Sequence, residues 1–532
     1  MKKELKKILT KVNKPSRYVG GEWNQKVKDF DSTLVRYCLA FPDVYEVGMS
    51  HLGLKIIYHE LNKRSDSLAE RVYTPWPDME KAMRFNQIPL YGLESFTPLK
   101  EYDIIGFALL YEMNASNVLT MLDLAGIPLY SKDRGEEIPF ILAGGPCVCN
   151  MEAIADFFDL AILGEGEEII HFLTEELGKW KSEGKPGGKN EFLERAAKIQ
   201  GIYVPAFYEP IYEEDGRIKE IQVVNKNATY PVQKQVVKDL ESLSISLDPV
   251  VPFLLPVHDR IHLEIFRGCT RGCRFCQAGM IYRPVRERKP ETLIAAAKAI
   301  AESTGYDEAA LMSLSSADYS CLPELIDALQ EELKAKKVNV SLPSLRLDSF
   351  SVELAQKVQK VRKSGLTFAP EAGTQRLRDV INKGVTEEHL ITALTAAFGA
   401  GWNQVKLYFM IGLPTETDED ILGIIETANK VVDLYRSVRG KGGVKVTVSV
   451  SSFVPKAHTP FQWFPQDTKA ELDRKQALLR FAPKSRAISL QYHDSRISHV
   501  EAVFSRGDRK LSKLIELAWK KGVRFDGWTE WF

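Results

Sequence analysis

From residue 30 to 182 short, continuous apolar runs alternate with stretches of helical periodicity. The runs are "TLVRYCLAF", "YDIIGFALL", "PFILAGG" and "DLAILG"; the helical stretches are "SHLGLKIIYHELNKR", "NASNVLTMLDLAG", "MEAIADFF" and "EGEEIIHFLTEELGKW". Apolar runs without alternation read as strands buried on both faces, so this part predicts a doubly wound, flavodoxin-like parallel sheet. Residues 183–256 break the pattern. "KSEGKPGGKN" reads as a linker, "IYVPAFYEPIYEEDGRIKEIQVV" as a hairpin turning at Asp215-Gly216, and "LDPVVPFLLPVHD" as a proline-rich boundary. A second alternation fills residues 257–465, with strands "RIHLEIF", "EAALMSL", "VNVSLPS", "GLTFAP", "NQVKLYFMI" and "VKVTVSVSSF". Six βα repeats fall short of the eight that close a full barrel, so an open, partial (β/α)6 barrel is expected, with a second doubly wound sheet as the alternative. Residues 1–29 read as an N-terminal extension and 466–532 as a helical C-terminal extension of mixed charge.

Composition narrows the class. A chain of 532 residues exceeds one ordinary core, in keeping with separate domains. Lys+Arg and Asp+Glu both number 71, so no global field recruits nucleic acid or a membrane surface. The start, "MKKELKKILTKVNKPSRYVGGEWN", is basic but has no apolar core segment, and no apolar run reaches about 18 residues. A cytoplasmic protein that does not enter membranes is expected. Seven cysteines, crowded unevenly, argue for metal or redox chemistry over a disulfide framework.

Three of the seven fall within eight positions, in "IFRGCTRGCRFCQAGMIYRPVRER". They follow the first strand of the second alternation, on the side where parallel barrels place their chemistry. Structural zinc takes four protein ligands, whereas a [4Fe–4S] cluster held by three thiolates keeps one iron open to a substrate or cofactor. Three buried thiols are the plain alternative. Cys269, Cys273 and Cys276, with Phe275 before the last of them, resemble the cluster motif of the radical S-adenosylmethionine (SAM) enzymes. That resemblance implies a radical SAM barrel whose open iron is chelated by SAM. An electron from a donor such as flavodoxin or ferredoxin then cleaves the SAM to methionine and a 5′-deoxyadenosyl radical.

The resemblance also implies roles at the other strand ends. Ser315 and Ser316, in "SLSSADYS", stand where the family commonly has a Gly-Gly-Glu-like turn for the methionine amino group. Arg346, in "PSLRLDSF", is placed to meet a carboxylate. In "FAPEAGTQRLR", Glu371 is expected at ribose hydroxyls or the amino group and Gly373 at a close backbone approach. Gly412 and Pro414 are expected to wall the adenine, and Lys456 and His458 to face substrate.

In the first domain, Gly144-Gly145-Pro146 and Gly164-Glu165-Gly166-Glu167 resemble the cobalamin-binding domain that precedes many radical SAM barrels, extending the likeness over residues 30–465. Cobalamin domains carry Asp-x-His-x-x-Gly after the first strand; here Asp43, Tyr45 and Gly48 hold that frame. A neutral phenol is a poor cobalt ligand, so a bound cobalamin is expected to have an open or water-filled lower face. His51 is expected at a helix start. A purely structural domain is the alternative. Cys38, Cys147 and Cys149 raise a third reading, an auxiliary cluster like that of the related methylthiotransferases, with Cys38 mid-strand and so more simply a buried thiol. The expected function is therefore methylation or a related radical modification of an unidentified RNA, protein or small molecule. The alternatives are methylthiotransferase-like modification and an RNA-binding module with a structural cluster, the latter resting on the basic runs "RPVRERK" and "RGDRKLSKLIELAWKKGVR".

Overall fold

The structure, a computed structural model, describes residues 2–342, 366–440 and 442–529. The chain divides into two compact units: residues up to 259 together with those from 507 onward, and residues 260–506. Among the described residues no helix is long and apolar enough to cross a membrane.

The first unit is built on a six-stranded sheet. Its strands are β1 (Val35–Phe41), β2 (Ser67–Tyr73), β3 (Ile104–Ala108), β4 (Phe140–Gly144), β5 (Leu160–Ile162) and β6 (Ile202–Tyr203), in the order β2-β1-β3-β4-β5-β6. Pairing is parallel from β2 through β5, and β6 closes the edge antiparallel. This is the flavodoxin-like order, with its switch point between β1 and β3. Helices α1 (Leu52–Lys63), α2 (Ala115–Leu124) and α3 (Gly166–Ser182) cover it, α1 against α3. β7 (Tyr208–Tyr212) and β8 (Ile218–Val223) form a separate antiparallel hairpin.

Strand β2 is absent from the apolar pattern because Glu70 and Arg71 interrupt it, yet every residue of it is buried. Arg71 meets Glu94 at 2.6 Å and Glu22 at 3.0 Å, with all three side chains almost wholly enclosed. Glu70 accepts from the Tyr102 hydroxyl at 2.6 Å and from Ser95 N–H at 3.0 Å. Paired in this way, the charges tolerate burial.

The second unit holds β9 (Ile261–Glu264), the two-residue antiparallel pair β10 (Phe266–Arg267) and β11 (Arg286–Glu287), then β12 (Glu308–Met312) and β13 (Asn339–Ser341). β14 (Leu366–Glu371), β15 (Gln404–Ile411), β16 (Lys445–Ser452) and β17 (Ile488–Tyr492) follow. Two parallel sheets result among the described residues, β13-β12-β9 and β14-β15-β16-β17. The six expected strands are all present, and β17 adds a seventh from the segment expected to be wholly helical. Helices α4 (Gln375–Val380), α5 (Asp418–Arg439), α6 (Lys469–Phe481) and α7 (Ser495–Arg506) belong to this unit, so residues 466–506 complete it.

The remaining tail returns to the first unit. α8 (Leu511–Lys520) packs on α2, where Trp519 Nε1 donates to Thr120 Oγ1 at 3.0 Å. Phe525 N–H donates to Asn117 Oδ1 at 2.9 Å, and the buried Trp528 donates from Nε1 to Met113 O at 2.8 Å.

Candidate active site

The cysteine loop, residues 268–285, is closed at its base by the β10–β11 pair. Gly268 has φ +93°, and a Cβ there would stand 2.5 Å from Pro284 O, so only glycine lets the two sides approach. The loop is tethered to segments beyond the carboxyl ends of three strands. After β12, Asp318 takes the Arg271 guanidinium, with Nε at 2.9 Å. Beyond β14, Arg274 N–H donates to Ile381 O at 2.9 Å, and Asn382 Nδ2 donates to Gly272 O at 2.9 Å. After β16, Phe461 N–H donates to Arg274 O at 3.2 Å and Gln277 Nε2 to Ala457 O at 3.2 Å. Phe275 packs on a buried cluster that includes Ala372, Leu377, Leu413 and Phe453.

Cys273 is buried and Cys269 and Cys276 are half-buried. Burial pushes the Cys276 thiol up, its Sγ accepts from Gly279 N–H at 3.3 Å, and charge on Cys273 and Cys269 pushes the same way as burial. The Cys276 thiol therefore lies within electrostatic reach of the other two. Among the described residues no three His, Cys, Asp or Glu side chains converge tightly enough for a single metal ion. A [4Fe–4S] cluster makes a different demand, one thiolate on each of three irons.

The other positions divide sharply. Ser315 is buried, and its Oγ has no hydrogen-bond partner, an orphaned polar atom that suits a ligand. Ser316 Oγ instead donates to Leu311 O at 3.1 Å and lies 3.0 Å from Ser313 Oγ, inside the fold. Glu371, the last residue of β14, pairs with Lys383 at 3.0 Å. Gly373 does not admit a ligand: a Cβ there would meet Asp420 O at 2.3 Å and Ile424 N at 2.4 Å, so its role is packing on α5. Lys456 pairs with Glu501 on α7 at 2.8 Å. Arg346 lies outside the described residues. Glu371, at the end of β14, and Thr415 and His458, beyond β15 and β16, all take left-handed φ near +65 to +70°. Such strain at non-glycine residues gathers at functional edges.

The loop after β15 contains residues that the sequence reading passed over. Gly412, at φ +79°, donates its N–H to Glu416 Oε2 at 2.7 Å. Lys475 from α6 bridges Glu416 at 2.8 Å and Asp467 at 2.6 Å, which fixes Gly412 and the buried Pro414. Burial pushes Glu416 up to about 6. Lys475 gave no sequence signal, since a helical lysine reads as solvated.

In the first unit, Gly144 ends β4, and a Cβ on it would meet nothing within 4 Å. Gly145, at φ +105°, lies against Leu109, whose carbonyl would be 2.6 Å from a Cβ. The expected loop at Gly164–Glu167 is covered by the chain's own linker: Glu165 N–H donates to Gln235 O at 3.0 Å, and a Cβ on Gly164 would strike that oxygen. Tyr45 is buried, with its hydroxyl donating to Glu22 at 3.0 Å and accepting from Phe253 N–H at 3.3 Å. His51 caps α1, Nδ1 accepting from Leu54 N–H at 3.1 Å, and burial pushes the ring down to about 4. Cys38 lies three residues inside β1, fully buried, whereas Cys147 and Cys149 stand in the turn Pro146–Asn150 beyond β4. The basic runs are likewise engaged internally. Arg286 and Arg288 are buried, and Arg509 binds Glu152 at 2.8 Å.

Two family models match the chain. One, the N-terminal region of radical SAM proteins, covers residues 53–205; the other, the radical SAM superfamily, covers 263–428, and together they span more than half of the length. The chain belongs to the radical SAM superfamily. A radical SAM enzyme works with a [4Fe–4S] cluster and SAM, and it requires an electron donor and a substrate. The uncharacterized protein MJ0966 of Methanocaldococcus jannaschii is 29% identical over 487 residues, 90% of either chain. Among solved structures, the radical SAM methyltransferase TsrM of Kitasatospora setae, with cobalamin and a [4Fe–4S] cluster bound, has a TM-score of 0.52 at 13% identity, covering 80% of this chain and 76% of that one. The cobalamin-dependent radical SAM enzyme OxsB, with aqua-cobalamin and SAM bound, has a TM-score of 0.52 at 14% identity, covering 92% of this chain and 71% of that one. At these identities the shared property is the radical SAM fold with its flavodoxin-like N-terminal unit.

Proposed function

We propose that this radical SAM enzyme carries its cluster on Cys269, Cys273 and Cys276 and holds a corrinoid in its N-terminal unit, using the two to methylate its substrate or modify it by a related radical reaction. The tethering of the cysteine loop to segments beyond β12, β14 and β16 is the main support, because it sets the thiols beside the carboxyl ends of the parallel strands. When bound, the cluster supplies the electron that cleaves SAM. Ser315 offers its unpartnered hydroxyl to SAM, while Glu371, held by Lys383, presents a fixed carboxylate at the end of β14. Gly412 and Pro414 form a wall that Glu416 and Lys475 keep in place.

For the corrinoid, support comes from the fold shared with TsrM and OxsB and from the open space before Gly144. The Tyr45 hydroxyl and His51 Nδ1 are both engaged within the fold, so neither atom would be free to ligate cobalt were a corrinoid bound. The cytoplasm, where reduced flavodoxin or ferredoxin supplies electrons, is the compartment that suits such an enzyme.

Anaerobic purification with hydroxocobalamin present, followed by metal analysis and incubation with SAM and a reductant, tests both parts. About four irons and one cobalt per chain are expected, with SAM consumed. Cys273→Ala should lose the iron, and iron retained in that variant sinks the cluster assignment. Absence of cobalt from a chain loaded with iron removes the corrinoid, and about eight irons favours an auxiliary cluster on Cys38, Cys147 and Cys149 instead.

A further inference from the structure

A cavity of about 370 Å³ opens in the N-terminal unit beside α1 and β2, with residues 246–250 of the linker along one side. It is distinct from the loop at Gly144, and its volume suits a small molecule, far short of a corrinoid. Leu54, Tyr58, Tyr73 and Val250 give it an apolar wall. Its cations are Lys26, Lys55, Lys63 and Arg71. Three of these are neutralised in place: Lys26 by Asp248, Lys63 by Glu60 at 3.0 Å, and Arg71 by Glu22 and Glu94.

Lys55 is the exception: its backbone N–H donates to His51 O at 3.4 Å, but its ammonium has no hydrogen bond or ion pair to any described residue. Burial, and then the neighbouring Arg71, push its ammonium down to about 8, with Asp259 acting weakly in the other direction. A lysine held beside apolar surface without a counter-ion is stabilised by whatever anion enters. His59, the remaining titratable group on the wall, lies 3.2 Å from Ser244 and leaves the anion to Lys55.

We propose that this cavity binds a small organic anion, a carboxylate or a phosphate monoester with an apolar body, whose charged head pairs with Lys55 while the body lies against Leu54, Tyr58, Tyr73 and Val250. The shape of the charge favours one head group, because Lys55 is the single cation there with no carboxylate of its own. The inference is independent of the corrinoid reading and survives its failure.

The test is isothermal titration of the full chain with benzoate, phenyl phosphate and the uncharged benzamide. Saturable, one-to-one binding of benzoate or phenyl phosphate is expected, with benzamide at least tenfold weaker, and the tighter of the two anions identifies the head group. Lys55→Met should weaken binding tenfold or more and Lys55→Arg should restore most of it. In the unaltered chain, acetic anhydride at pH 8 followed by peptide mass spectrometry reads the same site: the bound anion should protect Lys55 at least threefold. Equal binding of benzamide, undiminished binding by Lys55→Met, or no protection of Lys55 overturns the proposal.

Discussion

Ser315 shows how a single residue separates stability from ligand binding. Its hydroxyl is buried and unpartnered, so removing it costs the empty protein no hydrogen bond, whereas SAM bound as proposed would lose one worth about 1 kcal/mol. Ser315→Ala is therefore expected to leave the unfolding midpoint unchanged or slightly raised while increasing the KM for SAM about fivefold. Equilibrium unfolding and steady-state kinetics on the same preparation check it, and a variant that unfolds earlier with an unaltered KM refutes the assignment. The sequence made Cys269, Cys273 and Cys276 conspicuous, because cysteine is rare and the spacing is tight. It did not separate Ser315 from Ser316, since adjacent hydroxyls differ only in rotation: one reaches Leu311 O and the other reaches nothing. Gly373 carried a related ambiguity. A glycine announces a close approach, but not whether the partner is a ligand or, as here, the backbone of α5.

At the scale of elements, apolar continuity identified four of the five parallel strands of the N-terminal sheet and missed β2, whose middle is Glu70-Arg71. What buries those charges is supplied from far along the chain, by Glu22, Glu94 and Tyr102, and no local pattern carries that information. Arg71→Met should expose the dependence. It leaves Glu22 and Glu94 enclosed without their cation, at a cost of about 3 to 5 kcal/mol to the N-terminal unit. Hydrogen exchange in β1 to β4 is expected to quicken accordingly, while β14 to β16 keep their protection. Equal loss of protection in both sets, or in neither, contradicts this account. β17 escaped notice differently: "ISLQY" is short and mostly exposed, with a burial pattern that gives little apolar signal.

For the whole molecule, the sequence reads residues 183–256 as a linker and 466–532 as one extension, whereas the former lie within the first compact unit and the latter divide between the two. Residues 466–506 continue the second unit, whereas α8 and the aromatic stretch after it return to the first. Composition does not distinguish two amphipathic helices bound for different cores. Deleting residues 507–532 removes Trp519 and Trp528 from the interior around α2, and burying side chains of that size contributes about 3 to 5 kcal/mol each. The truncated chain is therefore expected to show rapid proteolysis within residues 100–160 while the second unit remains intact. Resistance equal to that of the full chain excludes a structural role for the tail.

The return of the tail also sets an order in time. During synthesis the first sheet leaves the ribosome early, but α8 follows it only after the 260–506 unit has been made, a delay of roughly 10 to 50 s at ordinary elongation rates. Throughout that interval α2 can pack on its own sheet, but the face that receives α8 lacks that partner. The nascent chain thus passes through a stage in which the earlier-made unit is the less finished one, and chaperone dependence is expected to concentrate there.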